Sequence, residues 1–437
     1  MMKKFYFNNN KVTCSFTCGK LTHHAGLAPI VQKIKKQGIF TQINRLFPTA
    51  ESPALRFRIS QLLMSVVLAS MSGVNRLSKI ANFTNDPLVM HLISLSRGLN
   101  KDVISTRLQD LGEAGAHRLH EYTLAQNKDY IAQSGLKQIT LDADSTVSTV
   151  YGNQEGAEKG YNPHKQGAKS YHPILIFASE LKTVVNSWLR PGSAYTSNGI
   201  VEFAKQTKEA LPEQVKDVLF RADSGFFNGQ LFDLFESEEF QWNYLVKVKL
   251  KNLKELICHL EWSSVKGHTK VSVAQLQYQC KSWSKPRTLK VIRTIVGYNE
   301  KKFLWGIDRV PIYEYACYCS TLNLPTEALH DLYKQRSTSE TWIEQVKSQL
   351  MANKTVTKSF WANDILWQLS IWAYNLSVMI RHGFGKVWQQ EHDTFRNWFI
   401  NVPGLLICKA RQWNLKMHCH FYQKQKWLEL ESWFQRT

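Results

Sequence analysis

One stretch constrains this chain more than any other: Asp331 to Lys347, DLYKQRSTSETWIEQVK. It carries Tyr333, Arg336, Glu340 and Lys347 at offsets 0, 3, 7 and 14. A continuous α-helix turns by roughly 100° per residue, so those offsets fall within roughly 60° of one another. One helix face then presents an aromatic hydroxyl, a guanidinium, a carboxylate and an ammonium. Ile343 and Val346 lie off that stripe and can anchor the helix to a core. Read alone, the stripe is an ordinary solvated face with ion pairs along it. Two further segments change that reading. LDADST (Leu141 to Thr146) and LFRADSGF (Leu219 to Phe226) each end an apolar run on an acid. The three segments together set a carboxylate cluster beside a basic helix.

Composition narrows the partner. The 437 residues allow two or three domains, and 43% hydrophobic content supplies their cores. A net charge of +20 and a pI near 9.5 point to a polyanion or an anionic surface. The longest apolar run, LLMSVVLASM (Leu62 to Met71), is too short to span a bilayer. The start, MMKKFYFNNNK, has no apolar h-region of a secretory signal. Nucleic acid is the better partner, with no membrane, and the expected location is cytoplasmic and nucleoid-associated. Eight scattered cysteines fit a reducing cytosol. Cys14 and Cys18 before His23 and His24, and Cys419 between His418 and His420, lack the paired C-x2-C spacing of a strong zinc site.

In chain order, residues 1 to about 20 read as polar and irregular. LAPIVQKIKKQGIF, ALRFRISQLLMSVVLASMSG, VNRLSKIANF, PLVMHLISL and Lys101 to Gln126 read as helices, with no strand signal before about Leu136. Residues 1–134 are thus expected to form an α-helical domain. Its basic residues (Arg56, Arg58, Arg76, Lys79, Arg97, Lys101, Arg107) either solubilise a bundle or read DNA ends through a helix-turn-helix unit.

Texture changes at Leu136. KQITLDADSTVSTVYG alternates at Ile139, Leu141 and Ala143, a strand pattern that puts Asp142 and Asp144 on the opposite face. HPILIFASEL and TVVNSWLR follow as strands of an antiparallel meander. SNGIVEFAKQTKEAL is a helix capped by Ser197 or Asn198, KDVLFRADSGF a strand ending in a turn at Gly225, and NGQLFDLFESEE a second helix. Residues 135–240 read as the first part of a catalytic core. YLVKVKL, KVSVAQLQYQC, RTLKVIRTIVGY, KKFLWGIDRV and YEYACYCSTL each read as a strand, making residues 241–322 β-rich. Residues 323–382 hold the Glu340 helix, entered through Pro325 and Thr326, and an amphipathic helix, TKSFWANDILWQLSIWAYNLSVMIRH. The tail, 383–437, reads as helical, as a dimer contact, DNA contact or cap.

The spacing Y-x2-R-x3-E-x6-K resembles the signature of bacterial insertion-sequence transposases with a ribonuclease H-like catalytic domain. All four positions match, and YGNQEGAEKGYNPHKQGAKSYHPIL (Tyr151 to Leu175) is similar to the loop after the first acid in one branch of them. The resemblance runs from about Gln138 to about Leu350. It implies a mixed α/β chain: a ribonuclease H-like core interrupted by a β-rich insertion and preceded by an α-helical DNA-binding domain. It implies an Asp-Asp-Glu triad on two Mg²⁺ ions, with Mn²⁺ able to substitute, and a homodimer on double-stranded DNA, both terminal inverted repeats and target. The activity implied is cut-and-paste transposition; the rivals are a nuclease without strand transfer and a non-cleaving DNA-binding protein derived from a transposase.

The chemistry of the residues agrees. Two divalent ions roughly 3.5–4 Å apart activate water or a 3′-hydroxyl and steady the leaving oxygen of a phosphodiester, and Mg²⁺ wants hard oxygen ligands. The assigned acids are Asp144, Asp223 and Glu340. Asp142 competes with Asp144 as ligand or stands behind it as partner, and Glu344 competes with Glu340 from roughly 40° further round the helix. By resemblance Tyr333, Arg336 and Lys347 grip phosphates, which suits a bidentate Arg and a point-charge Lys. Arg221 and Ser224 flank and support the second acid. The loop with Lys159, Tyr161, Asn162, Lys165, Lys169 and His172 either tracks a DNA strand by charge and stacking or is plain surface. Trp305 is either a base-stacking residue of the insertion or core.

Overall fold

The computed structural model describes residues 4–7, 10–13, 18–48, 55–163, 165–195, 199–303, 306–352, 354, 357–383, 390–418, 420–421 and 423–436. The chain forms two compact units. The first gathers Met1–Arg118, Gln345–Thr357 and Trp361–Thr437; the second is Leu119–Glu344 with Lys358–Phe360. This grouping cuts across the five successive segments read from the sequence.

The chain opens with strands where none was expected. β1 (Lys4–Phe7) and β2 (Asn10–Thr13) pair antiparallel, and β3 (Leu21–Thr22) follows. α1 (Leu27–Lys36) carries Pro29 in its first turn and buries Leu27, Ile30, Val31 and Ile34. Gly38, at φ +70°, ends it and starts α2 (Ile39–Leu46). α3 (Ile59–Met71) begins later than the apolar pattern suggested, where Gln61 Oε1 accepts the Arg58 N–H at 2.9 Å; it is buried on nearly every side. α4 (Ile80–Thr84) and α5 (Pro87–Leu92) are short. Asp86 caps α5 by accepting from Leu88 N and Val89 N, and Pro87 occupies the first helical position. α6 (Lys101–Ser134) is long but broken at Gly112, where φ is +56°.

The second unit is built on one nine-stranded sheet. β4 (Gln138–Ser145) leads into a small three-stranded sheet of β5 (Ser148–Thr149), β6 (Glu158–Lys159) and β7 (Lys169–Tyr171). β8 (Ile174–Ala178) and β9 (Thr183–Trp188) return antiparallel, the meander read from the sequence. α7 (Ile200–Glu209) starts after Gly199 at φ +70°; Ser197 and Asn198 lie outside the described residues. β10 (Asp217–Ala222), α8 (Gly229–Phe235) and β11 (Asn243–Val248) come next. After α9 (Leu253–Ile257), β12 (Ser263–Val265) and β13 (His268–Tyr278) pair, and β14 (Arg287–Phe303) and β15 (Gly306–Ser320) form one long hairpin. Three strands were expected across Arg287 to Leu322. Two suffice, because KKFLWGIDRV is divided between their ends; Trp305, within it, lies outside the described residues.

The strand order is β12-β13-β14-β15-β11-β10-β4-β8-β9. The β-rich segment thus extends the same sheet through β15, antiparallel to β11, whereas β4, β10 and β11 run parallel. Period-two alternation gives the sheet two working faces. Leu141, Ala143, Phe220, Ala222, Val246 and Leu289 join the large core with Phe203 of α7 and Phe232 of α8. The other face carries Leu245, Ile292 and Tyr318 against Leu329, Leu332 and Tyr333 of α10 (Thr326–Lys334), entered from Pro325 as expected. α11 (Ser337–Glu344) follows on that side, its Trp342 ring 5.8 Å from Phe177 of β8. Phe177 pairs with Asp142 across β4 and β8, so Trp342 marks the face that carries the acids.

In the remaining chain, α12 (Phe360–His382) is buried almost all round, polar Asn363, Gln368, Asn375 and Arg381 included, rather than amphipathic. α13 (His392–Phe395) leads to a π-helical turn at Arg396–Ile400. The tail expected to be helical then forms a hairpin, β16 (Gly404–Lys409) with β17 (Gln412–Met417), before α14 (Lys424–Arg436). β16 pairs with β3, and Ala25 and Gly26 donate to the Val402 and Ile400 carbonyls at 3.0 and 3.2 Å. The first unit is therefore closed by the two ends of the chain.

Candidate active site

The sheet register builds the site. On β4 and β10, Asp142 pairs with Arg221 and Ala143 with Ala222. Asp144 and Asp223 are the next residues of the two chains, at one level on neighbouring parallel strands. Such strands lie about 4.8 Å apart, close enough for two carboxylates to act on one site.

The neighbouring acid has a different role. Asp142 is fully buried, and Arg221, 2% exposed, takes both its oxygens, Nε to Oδ1 and Nη2 to Oδ2, each at 2.8 Å. Arg221 Nη1 also donates to the Leu332 carbonyl of α10 at 2.8 Å, and Nη2 to Ser179 Oγ at 3.3 Å. Arg221 thus serves Asp142 rather than the Asp223 it precedes. Ser179 and the Leu332 carbonyl complete this knot without any motif in the sequence to mark them.

Asp144 Oδ1 accepts its neighbour's N–H, Ser145, at 2.8 Å, and Oδ2 lies 2.9 Å from Arg336 Nη2. Burial pushes the Asp144 carboxyl up to about 6; Arg336 opposes that shift and Asp223 adds to it. Arg336 is buried, also donates to the Ala143 carbonyl at 2.9 Å, and has no hydrogen-bond partner at Nε. Burial works against its charge, yet Asp144, Tyr333 and Asp223 outweigh that and hold its pKa above the usual value. Tyr333 packs on Tyr318 with ring centroids 5.2 Å apart, and burial pushes its phenol up to about 12. Asp223 Oδ1 accepts the Gly225 N–H at 3.0 Å, capping a 3-10 turn at Ser224–Phe226.

The single-helix stripe is not what forms. α10 ends at Lys334, and Arg336 N, Thr338 N and Ser339 N donate three residues back, to Tyr333, Gln335 and Arg336 carbonyls. The hydroxyls of Thr338 and Ser339 bond the same Gln335 and Arg336 carbonyls at 3.0 and 2.7 Å. The Ser-Thr-Ser run thus competes for helical acceptors and tightens the chain at Arg336. That is why Arg336 turns into the sheet instead of lying exposed. Glu340 is exposed in the first turn of α11, and Glu344 is exposed at its end. Lys347 lies in a π-helical turn, Gln345–Gln349, and belongs to the first unit, whereas Tyr333, Arg336 and Glu340 belong to the second.

Of the expected acids, Asp144 and Asp223 come together. Among the described residues no three His, Cys, Asp or Glu side chains converge as a metal group. The donor chemistry of the pair still fits a hard divalent cation: two carboxylates side by side, one of them half-buried and already drawing in a guanidinium. In the loop after β4, Lys159 and Lys165 are exposed and Lys169 is half-buried, whereas Asn162 and His172 are buried. Asn162 Oδ1 accepts from Lys165 N at 3.0 Å, and His172 Nδ1 lies 2.6 Å from the Ala194 carbonyl, so these two hold the loop from inside.

A family profile described as "Transposase DDE domain group 1" matches residues 5–436. The chain belongs to the DDE transposase family. Membership covers both compact units, the helical one as well as the one with the acids. No curated protein matches the chain. Among solved structures, the piggyBac transposase synaptic complex with hairpin DNA is similar at 12% identity and a TM-score of 0.44, over 90% of this chain and 77% of that one. The Mos1 transposase paired-end complex with left transposon end is similar at 12% identity and a TM-score of 0.17, over 44% and 60%. No described helix of this DDE transposase is long and apolar enough to cross a membrane.

Proposed function

We propose that this DDE transposase is of the bacterial insertion-sequence type marked by Tyr333, Arg336, Glu340 and Lys347. It binds the terminal inverted repeats of its element, cuts them and joins them to target DNA as a homodimer, in the cytoplasm at the nucleoid. The observation that carries this reading is the pair Asp144 and Asp223, level on parallel strands, with a buried guanidinium on Asp144. The order β9-β8-β4-β10-β11, with β8 antiparallel to β4, supports a ribonuclease H-like core. Asp144, Asp223 and Glu340 are the residues to hold Mg²⁺ or Mn²⁺, two ions in all. When bound, such ions activate water or a 3′-hydroxyl and stabilise the leaving oxygen. Asp142, spent on Arg221, positions β4 against β10 and α10 and is not a ligand. Lys159, Lys165 and Lys169 hold phosphates by charge, Lys347 with them, and the helices from α1 to α5 read the DNA ends.

A second reading, a DNA-binding protein that no longer cuts, has one observation in its favour: Glu340 is exposed and apart from any three-acid group among the described residues. Purified protein mixed with the DNA flanking its own gene, with Mg²⁺ or with EDTA, separates the two. Metal-dependent cuts at the repeat boundary, absent in Glu340→Gln, are expected. Tight end binding without any cut, in wild type and variant alike, would establish the second reading.

A further inference from the structure

The three most exposed large apolar or aromatic side chains among the described residues are Tyr151 at 78%, Tyr195 at 71% and Tyr161 at 70%. Tyr151 and Tyr161 each stand two residues past a strand of the small sheet that follows Asp144, and Tyr195 four residues past Pro191, which bridges Tyr171 of β7. An exposed tyrosine ring loses hydrophobic burial with no return inside the protein. Single exposed apolar residues are ordinary; three on one scaffold are not.

The scaffold holds them firmly. β7 pairs with both β5 and β6, and Val150 N donates to the Lys169 carbonyl at 2.9 Å. Tyr171 Oη donates to the Glu155 carbonyl at 2.6 Å. Arg190, buried, donates to the backbone carbonyls of His172 at 3.0 Å and Tyr195 at 3.2 Å. The segments leading to Tyr161 and Tyr195 run so close together that a Cβ on Gly160 would sit 1.9 Å from the Gly192 carbonyl oxygen. Thr146 N, bonded to the Pro173 carbonyl at 2.9 Å, closes the loop at its base beside Asp144.

Charge around the rings is one-sided. Lys165 Nζ lies 4.8 Å from the Tyr151 ring centre, Lys159 is exposed beside Tyr161, and Lys169 donates to Asn153 at 3.0 Å. The nearby acids are engaged: Glu155 accepts the Phe360 N–H at 3.0 Å, and Glu158 accepts the Ser193 hydroxyl. Rings for stacking and ammonium groups for phosphate are the two components of a single-strand binding surface. A duplex hides its base faces in the stack, so rings of this kind gain from bases only where a strand is unpaired.

We infer that Tyr151, Tyr161 and Tyr195 form a stacking platform for an unpaired DNA strand, anchored beside Asp144. The inference rests on the proposed DNA-processing role and names the strand state that this surface accepts. It places an unpaired segment, not the duplex, next to the acid pair.

The test uses the full chain in EDTA, so that nothing is cut, and fluorescence anisotropy with a labelled oligo-dT strand and with a duplex of the terminal repeat. Replacing each tyrosine by Ala is expected to weaken oligo-dT binding by about tenfold. The triple Tyr→Phe variant, which keeps the rings, is expected to bind as wild type, and the triple Ala variant to keep duplex binding. Oligo-dT binding unchanged in the triple Ala variant would overturn the platform, as would equal losses for strand and duplex. So would a triple Phe variant as weak as triple Ala, which would mean hydroxyl–phosphate contacts. Tyrosine-dependent oligo-dT binding by a protein that makes no Mg²⁺-dependent cut would support the platform while removing the transposition reading. Binding to neither DNA would remove both.

Discussion

Arg221→Met tests the distinction between Asp142 and Asp144 most directly. In the native chain both oxygens of Asp142 are held by Arg221 at 2.8 Å, and both side chains are out of solvent. Removing one partner of such a pair leaves a bare buried charge, a cost of about 3–5 kcal/mol. Loss of the donor to Leu332 costs about 1 kcal/mol more. For a unit of this size that is a fall of roughly 8–24 °C in Tm. The double variant Asp142→Leu/Arg221→Met replaces the pair by apolar groups and should recover most of the loss. Thermal and urea unfolding followed by circular dichroism supply the cycle. On the proposed function, added Mg²⁺ should raise the Tm of wild type and of the double variant alike, whereas Asp144→Asn should lose that rise. A single variant costing under about 1 kcal/mol would refute the structural role of the pair, since a buried pair cannot be broken so lightly. Loss of the Mg²⁺ response in the double variant would make Asp142 a ligand after all.

Three further outcomes follow from the same reasoning. Arg336→Gln should cost about 3 kcal/mol at pH 8, where Asp144 is charged and loses its buried partner; the loss should shrink at pH 5, because the carboxyl, raised to about 6, then takes a proton instead. Equal losses at both pH values, in urea titrations, would remove the pairing as the cause. His392 is buried between Ser377 Oγ at 2.6 Å and the Met71 carbonyl at 3.0 Å, and burial, with Arg381 and Arg396 nearby, holds its pKa well below 6.5. Its neutral form therefore stabilises the fold above about pH 6.5, and that contribution drains at about 1.4 kcal/mol per unit as pH falls below it; stability curves of wild type and His392→Gln should converge between pH 6 and 5, and parallel curves would count against it. Gly26→Ala puts a Cβ 1.5 Å from the Phe399 carbonyl oxygen, a backbone contact that cannot yield, so it should cost at least about 3 kcal/mol in thermal unfolding; a variant as stable as wild type would mean the chain ends do not close the first unit.

The sheet that carries the acids was legible because its strands are local statements. β4 alternates, β8 is apolar throughout, and each ends where a carboxylate or a turn begins. What stayed hidden depends on distant partners or on unmarked turns. β3 is two residues long and exists through β16, nearly four hundred positions on. The β16–β17 hairpin turns at Ala410 and Arg411, both at positive φ, without the Asn or Gly that usually announces such a turn. The break at Arg336 was visible in principle: Ser337, Thr338 and Ser339 are poor helix-interior residues, but a wheel drawn through them assumes an unbroken ladder.

Arg336 also shows why a residue's role does not follow from its place in a signature. Resemblance implies that it grips phosphate, and a guanidinium suits that task. In the fold it is buried, with Nη2 shared between Asp144 and the Ala143 carbonyl, and no phosphate on the surface reaches it there. A half-buried Asp144 with a carboxyl raised to about 6 is stabilised by that guanidinium, by another cation or by a proton. For Arg336 to grip phosphate as the resemblance implies, one of the other two would have to take its place on Asp144. Since protonation would remove Asp144 as a ligand, the exchange that would serve the proposed chemistry is cation for guanidinium, and the two roles proposed for Arg336 would then succeed one another.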